Sequence, residues 1–372
     1  DADRWEARGL DLLCRELKEQ VLPDGGHFER SPYYHLRMTR LATEVVDLLA
    51  AFGRPVPPEL AAAARKMRHF HLALRHQDGG LPLFHDSLGS DSAEPPAADD
   101  AACSFPATGY YLLEGPEGRL IADYGAPGDC YNPAHQHAGI FSFEISCGSR
   151  RVVVDSGTET YDPGPRRDRL RSTAAHNTVR VDGRDQFQVW HGFRVGRRAW
   201  VSGVEERHEP HFQALSAVHN GYTRRGVDHR RSIVYLPGAG WLIADDVTGR
   251  GSHRLESFLH LHPEIAVTVE AGRVSLMPLG WVVLPFGPAT SFEIIPDTYS
   301  PAPGRAQPSE TLVFQAGPGL PCRFGYFLAP LASARLVWDG GTGFRIETPA
   351  REWALRLDLD LISLAGLRVS YN

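Results

Sequence analysis

The sequence predicts an α+β fold in two parts, stacked helical hairpins over residues 1–110 and a large antiparallel β-sandwich over residues 111–372. Three observations support this division. Apolar residues recur at helical spacing in the first part, and an Asp-Gly-Gly loop at Asp24 is repeated there at Asp78. From about residue 111 the apolar period changes to two. No low-complexity linker separates the parts, so we expect them to pack directly against each other.

Three segments of the first part have the pattern of amphipathic helices. RWEARGLDLLCRELKEQVL repeats leucine at helical spacing, and YHLRMTRLATEVVDLLAAFG ends at Gly53, a common helix stop. PPELAAAARKMRHFHLALRH opens with two prolines, which suit a helix start, and continues with alanine. The loops LPDGGHFERS and RHQDGGLPLFHDS follow the first and third helices, so we expect them at one end of the array, where they could line a cleft.

Short apolar runs separated by Gly/Pro turns fill the second part, and they are GIFSFEI, RRVVVDS, HNTVRVDG, RSIVYLPG, GWLIADDV, VSLMPLGWVVLPF, GFRIETP and WALRLDLDLISL. Their spacing is typical of an antiparallel sandwich. We place the boundary between the two parts within SFPATGYYLLEGPEG. The loops between the runs are long, which is where such folds usually carry function.

The composition excludes several classes of protein. A formal net charge of −6 argues against a general nucleic-acid binder. No apolar run approaches the ~20 residues of a membrane-spanning helix, so no membrane span is expected. Five cysteines without a CxxC pair indicate neither a disulfide framework nor a thiolate zinc site.

The basic residues are almost all arginine, since only Lys18 and Lys66 are lysine among 39. GC-rich coding bias is one explanation. The other is functional, because planar guanidinium groups suit carboxylate or sulfate recognition. The arginines cluster in GPRRDRLRST, FRVGRR and TRRGVDHRR. A basic cleft for an acidic substrate is therefore compatible with the negative net charge.

The segment YNPAHQHAGIFSFEISCGSRRVVVDSGTETY brings potential metal ligands to the margins of strands. His135 and His137 point the same way if the chain is extended there. Asp155 ends the second strand-like run of the segment, and His176 follows in STAAHNTVRV. His137, Asp155 and His176 could bind zinc or another divalent metal, which would leave His135 free for chemistry. The alternative is a hydrogen-bonded structural cluster.

A simple hairpin in this segment would place Asp155 opposite Ser142 and away from His137. A metal site therefore requires the NPAHQHAG loop to fold back across the sheet.

The segments LPDGGHFERSPYYH, RHQDGGLPLFHDS, NPAHQHAGIFSFEI, VDSGTETYDPGPRRD and STAAHNTVRVDGRDQF resemble the heparinase II/III family of polysaccharide lyases, from the first helix to at least His262. The resemblance implies an incomplete α/α toroid followed by an antiparallel β-sandwich. It implies cleavage of a uronic-acid-containing polysaccharide by β-elimination, and a periplasmic or secreted location. It does not distinguish heparin-like chains from alginate or other uronate polymers, nor endo from exo action.

The resemblance also assigns roles. Tyr34 in SPYYH matches the catalytic tyrosine, and His135 matches the second catalytic position, as acid, as base or as a stabiliser of the phenolate. A free phenol has a pKa of about 10, too high for a good base at neutral pH, so we expect nearby cations to lower the pKa of Tyr34. On a syn path this one phenol could take the C5 proton as the base and then return it to the leaving oxygen. Arg171 and Tyr161, in loops beside the expected ligands, are candidates for substrate binding.

The expected cofactor is a divalent metal, with zinc preferred and calcium possible. Through the resemblance, its ligands are His137, Asp155 and His176. We expect the metal to be mainly structural, pinning the loop so that His135 is directed into the cleft.

The sequence departs from the family in one respect. The family carries an asparagine or histidine, well upstream of the tyrosine, that neutralises the substrate carboxylate, and no such motif occurs between Asp1 and Tyr34. We therefore expect the chain to be the C-terminal part of a longer protein. Two other functions remain open: a non-catalytic protein that binds acidic polysaccharide or assembles exopolysaccharide, and a cupin-like non-haem metal enzyme that uses the H-x-H pair.

Overall fold

The structure is a computed structural model that describes residues 1–89, 104–128, 131–270, 273–288, 290–330 and 332–358, and the backbone of residues 361–369. Cys103 and Cys130 lie outside these ranges, and the three described cysteines are free. Within the described ranges, no helix combines the length and the apolar character needed to cross a bilayer.

The helices are α1 (Ala2–Gln20), α2 (Pro32–Ala51), α3 (Pro58–Ala73) and the short α4 (Pro165–Arg171). The first three correspond to the predicted helices, and their apolar faces meet in one cluster that includes Leu17, Leu49, Leu60 and Met67. α2 ends as predicted, because Gly53 takes a left-handed φ of 64° and its N–H bonds Ala50 O at 3.0 Å.

The strands of the first half of the sandwich are β1 (Tyr110–Gly115), β2 (Gly118–Asp123), β3 (Phe143–Cys147), β4 (Arg150–Val153), β5 (Val179–Val181), β6 (Val189–Trp190), β7 (Arg194–Val195), β8 (Val201–Glu209), β9 (Phe212–His219), β10 (Val227–Leu236) and β11 (Gly240–Gly249). The later strands are β12 (Leu255–His260), β13 (Ala266–Glu270), β14 (Arg273–Met277), β15 (Trp281–Phe286), β16 (Ser291–Ala302), β17 (Arg305–Ala316), β18 (Cys322–Ala329), β19 (Arg335–Trp338), β20 (Gly343–Glu347), β21 (Arg351–Asp358) and β22 (Leu361–Val369).

In the described part of the chain, the strands form one eight-stranded sheet flanked by smaller sheets. The large sheet has the order β13-β14-β15-β18-β11-β10-β9-β8. Four-stranded sheets have the orders β1-β2-β3-β4, β16-β17-β12-β5 and β19-β20-β21-β22, and β6 and β7 form a separate hairpin. Neighbouring strands are antiparallel throughout, as the sequence predicts for a sandwich.

Both faces of the eight-stranded sheet are covered. One face joins the β1–β4 sheet and the β12/β17 sheet in a single core, with members such as Leu120, Phe143, Ile233, Ile243, Leu259 and Phe314. The other face packs against β20 and β21, with members such as Leu242, Phe327, Phe344 and Trp353. Each such side chain contributes roughly 1.5–3 kcal/mol by leaving water. The sandwich is therefore a rigid support for the loops at its edge.

The two Asp-Gly-Gly loops connect the helices to the segment before β1 and to the sandwich. Gly25 and Gly79 both adopt left-handed φ values, 93° and 81°, and each aspartate caps its own turn. Asp24 Oδ2 accepts a bond from Thr108 N at 2.7 Å, and Asp78 accepts two from the Arg151 guanidinium at 2.8 and 3.0 Å. The two parts pack directly, as predicted. The domain division at residue 110 remains a prediction.

Candidate functional site

Two aromatic rings from different parts of the fold meet where the helices join the sandwich. Tyr34 lies in the first turn of α2, which begins at Pro32 and is capped by Ser31 Oγ accepting from Tyr34 N at 3.3 Å. His135 lies in the loop before β3. The Tyr34 and His135 rings stack with centroids 3.8 Å apart and an interplanar angle of 23°. The structure therefore brings together the two residues predicted to be catalytic.

One buried carboxylate organises the residues around this pair. Asp86 Oδ2 lies 3.1 Å from His135 Nδ1, and Asp86 Oδ1 lies 2.8 Å from His137 Nε2. The Arg167 guanidinium donates to both Asp86 oxygens, at 2.5 and 2.6 Å. Burial disfavours the charge of Asp86, but the hydrogen bonds from His135, His137 and Arg167 hold its pKa well below the usual range. Asp86 is therefore a carboxylate at neutral pH.

The charge of Asp86 fixes which nitrogen of each histidine carries a proton. A carboxylate only accepts hydrogen bonds, so His135 Nδ1 and His137 Nε2 must be the donors. Burial holds the pKa of His137 well below its ordinary value, so its ring is neutral. His135, when neutral, presents Nε2 as a lone pair, and His137 presents Nδ1.

The Asp86 segment positions the histidine loop through its backbone as well. Asp86 N donates to His135 O at 3.1 Å, and His137 N donates to His85 Nδ1 at 3.2 Å. The other nitrogen of the His85 ring lies 3.0 Å from Asp123 Oδ2 at the end of β2. His85 itself has a left-handed φ of 60°. These contacts hold the NPAHQHAG loop against the His85–Asp86 segment.

The environment of Tyr34 differs from the expected cationic one. Burial raises the pKa of Tyr34 above its ordinary value, and the Asp86 charge raises it further, while Tyr161 and Arg37 act in the opposite direction. The expected lowering is absent because burial outweighs the opposing effects of Tyr161 and Arg37. The phenol is therefore protonated at neutral pH.

Tyr161, predicted to bind substrate, lies beside Tyr34. Its ring stacks on Phe193 with centroids 6.0 Å apart at 13°, and the Arg167 guanidinium lies 5.3 Å from the Tyr161 ring centroid. Burial, the Asp86 charge and the Tyr34 hydroxyl all raise the pKa of Tyr161. Its buried hydroxyl makes no hydrogen bond of normal geometry with the described residues. Tyr161 thus adds a second protonated phenol to the site.

The three predicted metal ligands lie in one buried region. His176 Nδ1 donates to Asp155 Oδ2 at 2.7 Å, and the ring centroids of His137 and His176 are 5.4 Å apart. Within the described residues, His137 Nδ1 and His176 Nε2 are buried and have no hydrogen-bond partner. Two buried imidazole lone pairs beside a carboxylate have the donor chemistry of a zinc site.

However, the Asp155 carboxylate accepts its hydrogen bond from His176 Nδ1, and the nitrogen that could bind a metal is Nε2, on the other side of the ring. Over the described ranges, no set of three His, Cys, Asp or Glu side chains is placed to hold a metal ion. The geometry thus presents two ligand nitrogens, with Asp155 orienting the second ring in the manner of a carboxylate–histidine pair.

Close packing and one buried ion pair fix the position of His176. A Cβ atom on Gly139 would lie 2.8 Å from His176 Cγ, so only glycine fits that point of the loop. The neighbouring Asn177 O accepts a bond from Arg231 NH1 at 2.5 Å. Arg231 in turn pairs with both oxygens of Asp245, at 2.7 and 2.8 Å, inside the eight-stranded sheet. The sandwich core therefore holds the histidine in place.

Arg171 is placed differently from the prediction. It ends helix α4 instead of lying in a loop, and it is fully buried. Its guanidinium donates to Gln136 O at 2.9 Å and to Gly192 O at 2.9 Å. Its own carbonyl accepts from Ala138 N at 2.9 Å. Arg171 therefore anchors the histidine loop, and the structure gives no support to its predicted role in substrate binding.

Sequence reasoning missed the two residues at the centre of the site. Asp86 and Arg167 are 81 residues apart, and nothing in the spacing of either segment indicates that they pair. Both fall within segments that carry the family resemblance, RHQDGGLPLFHDS and VDSGTETYDPGPRRD, which is the one signal pointing to them.

Comparisons with known proteins agree with this architecture. The family described as "Heparinase II/III-like, C-terminal" matches residues 98–326, and "Heparinase II/III N-terminus" matches residues 1–109. A heparin-sulfate lyase of Bacteroides stercoris is 21% identical over 282 residues, covering 67% of this chain and 40% of that protein. The FtsZ-localized protein C of Caulobacter vibrioides is 27% identical over 308 residues, covering 73% and 51%. The chain thus spans about half the length of these relatives.

Solved structures of the same fold cover the whole chain. The heparan sulfate lyase HepC from Pedobacter heparinus superposes with a TM-score of 0.77 at 15% identity, covering 100% of this chain and 64% of that one. The heparinase III BT4657 gene product superposes with a TM-score of 0.76 at 19% identity, covering 99% and 61%. These likenesses confirm the predicted fold class of partial toroid and sandwich. On the strength of the match over residues 98–326, the chain belongs to the heparinase II/III family.

Proposed function

We propose that the full-length protein cleaves a uronic-acid-containing polysaccharide by β-elimination, with Tyr34 and His135 as the acid–base pair. The observation that carries the proposal is the stacked pair at 3.8 Å, backed by the ionised Asp86. Family membership supports the same reaction class. The reaction needs a base for the C5 proton of the uronate and an acid for the departing oxygen.

The protonation states divide the two roles. The lone pair on His135 Nε2 takes the C5 proton, while the Nδ1–H donates to Asp86, which stabilises the imidazolium that forms. The electrons of the C5–H bond form the C4–C5 double bond, and those of the C4–O bond leave with the oxygen. That oxygen takes the proton of Tyr34, whose raised pKa keeps the phenol protonated until then. The proton on His135 then restores the phenol.

The proposal includes a metal beside this pair. We propose that His137, Asp155 and His176 hold a divalent metal, zinc before calcium, with the buried nitrogens His137 Nδ1 and His176 Nε2 as its clearest ligands. When bound, the metal supplies structural rigidity to the loop that carries His135. We also propose the predicted periplasmic or secreted location for the protein.

A polymer panel tests the activity. We expect the full-length protein to release 4,5-unsaturated uronate, detected by ultraviolet absorbance, from at least one of heparan sulfate, heparin, alginate and other uronate polymers. Tyr34→Phe should abolish the signal while the thermal midpoint stays unchanged, because only the phenolic oxygen is removed. Tyr33→Phe is the matched control, since its ring meets Tyr34 edge-on and not His135. Substantial activity in Tyr34→Phe would refute the assignment.

A second candidate function is binding of an acidic polysaccharide without turnover. It is favoured by one relative, the FtsZ-localized protein C, whose name does not describe a lyase. Absence of unsaturated product across the whole panel, together with saturable binding of one polymer, would favour this function. The family matches argue against the cupin-like metal enzyme, because they cover the helical part as well as the H-x-H segment.

A further inference from the structure

A second cleft lies next to the candidate site and shares one hairpin with it. The turn of the β6–β7 hairpin contacts the site, where Gly192 O accepts from Arg167 Nε at 3.0 Å and Phe193 stacks on Tyr161. The first strand of the hairpin, through Trp190, lines a cleft of about 1030 Å³. Phe193 and Trp190 are three positions apart, which is at most ~10 Å of chain. A short oligosaccharide can span that distance.

The cleft is rich in arginine. Arg184, Arg197, Arg224 and Arg225 line it, and Asp185 is the one carboxylate among its described lining residues. Two of these cations are already engaged: Arg225 pairs with Asp182 at 2.9 Å, and Arg197 donates to a backbone carbonyl.

Two of the lining arginines are free to bind an anion. The exposed side chains of Arg184 and Arg224 make no ion pair or hydrogen bond with any residue that the structure describes. The carboxylate of Asp185 accepts a bond from Thr173 N at 2.8 Å, so it is turned to the backbone and does not neutralise them. Unpaired guanidinium groups in a cleft are suited to sulfate or carboxylate oxygens.

An aromatic surface lies among these charges. Trp190 is 42% exposed. A Cβ atom on Gly196 would lie 2.9 Å from the indole, so the glycine allows the ring to rest against the backbone. Trp190 is among the residues that line the cleft. An aromatic ring next to hydrogen-bonding cations offers the apolar face of a sugar a packing surface while its charged groups are bound.

We propose that this cleft is a subsite that binds a sulfated or carboxylated sugar unit of the polysaccharide, away from the reacting bond. The inference deepens the proposed function, on which its choice of ligand rests. A nucleic-acid phosphate is the less suitable occupant, because the chain carries a net charge of −6 and the cleft adjoins the sugar-processing pair.

The test measures the affinity of the full-length Tyr34→Phe protein for defined oligosaccharides, so that turnover does not interfere. The probes are a sulfated heparin oligosaccharide, an unsulfated alginate oligosaccharide, a neutral dextran oligosaccharide and a single-stranded oligonucleotide. Adding both Arg184→Ala and Arg224→Ala should raise the Kd for an acidic oligosaccharide about a hundredfold, because each lost charged hydrogen bond is worth about tenfold. The salt dependence of binding should fall as well.

The matched control removes two arginines that lie outside the cleft. Arg305 and Arg335 are exposed and do not line the cleft, so Arg305→Ala with Arg335→Ala should leave the Kd unchanged. A preference for the sulfated or for the unsulfated acidic probe identifies which anion the arginines hold. Equal Kd values for the two double variants overturn the proposal, as does equal affinity for the oligonucleotide.

This readout is separate from that of the proposed function. Failure of the wild-type protein to form unsaturated product refutes the lyase activity and leaves the subsite standing as a binding site. Failure of the arginine variants to weaken binding refutes the subsite and leaves the activity standing.

Discussion

Replacement of Asp86 by asparagine is the most informative single change at the site. The carboxylate is fully buried and receives bonds from His135, His137 and Arg167. Asparagine keeps the shape but removes the charge and turns one acceptor into a donor. One of the two histidines must then change its tautomer or lose its bond. If that histidine is His135, Nε2 becomes protonated and can no longer take a proton from the substrate.

The expected cost follows from the burial of the ion pair. The Arg167 side chain is 0% exposed, and without Asp86 it keeps a hydrogen bond to Gly192 O as its neutral partner. Removing one partner of a buried pair typically costs about 3–5 kcal/mol. With His135 as the proposed base, the loss of activity should be larger than the stability loss explains, about 10²- to 10⁴-fold in kcat, as for histidine bases that lose an orienting carboxylate.

The assay combines product formation with thermal and urea unfolding. Asp246→Asn is the matched control, because Asp246 pairs with the half-buried Arg323 at 2.6 and 2.9 Å in the sheet and far along the chain from the site residues. The control should lose stability and keep activity at a temperature where it remains folded. The reasoning about Asp86 is wrong if Asp86→Asn retains wild-type kcat, or if its unfolding free energy is unchanged.

The pKa of Asp86 also predicts how the stability of the protein changes with pH. The pKa of Asp86 is depressed in the folded protein, so its contribution to stability is present above the unfolded value of about 3.9. That contribution is lost as the pH falls through the lower folded pKa. The difference in unfolding free energy between wild type and Asp86→Asn should therefore be constant near neutrality and shrink below about pH 4.

Three further outcomes are expected. His176→Ala should lower the metal content and the thermal midpoint together, since the metal would stabilise only the folded chain; unchanged metal content removes His176 from the ligands. Gly139→Ala should lower the free energy of unfolding by about 1–3 kcal/mol, because the new Cβ would lie 2.8 Å from the His176 ring. Gly9→Ala in helix α1 is the control: its Cβ would contact nothing, so the change should be neutral or stabilising. Equal melting midpoints for the two variants would contradict this reasoning. Tyr161→Phe should leave stability unchanged or higher, since it removes a buried hydroxyl that lacks a regular partner; a large loss would reveal a bond that the geometry does not show.

The sequence was sufficient for features that depend on local periodicity. The three helices, the strands and the stop at Gly53 follow from spacing and from glycine and proline chemistry. The meeting of Tyr34 and His135 could be predicted only through the family resemblance, because the two residues are far apart in the chain and no periodicity links their segments.

The missed features depend on contacts between distant segments. The hairpin of β3 and β4 contains a register shift between Ile145 and Ser146, which the residue pattern does not predict. The pKa of Tyr34 depends on a balance in which burial and the Asp86 charge outweigh the effects of Tyr161 and Arg37, so counting nearby arginines gives the wrong sign. The burial of Arg171 depends on backbone carbonyls of the loop it holds.

The position of Asp86 implies that the site exists only when the two parts of the fold are packed together. The carboxylate follows the helical part, whereas His135, His137 and Arg167 all come from the sandwich. Separated from the helices, the sandwich would leave Arg167 without its counter-ion and both histidine tautomers unfixed. Because Arg151 binds the second Asp-Gly-Gly loop across the same junction, loosening that junction should disorder the pair of Tyr34 and His135 before it unfolds either part. The geometry of the proposed acid–base pair and the packing of the two parts should therefore be lost together.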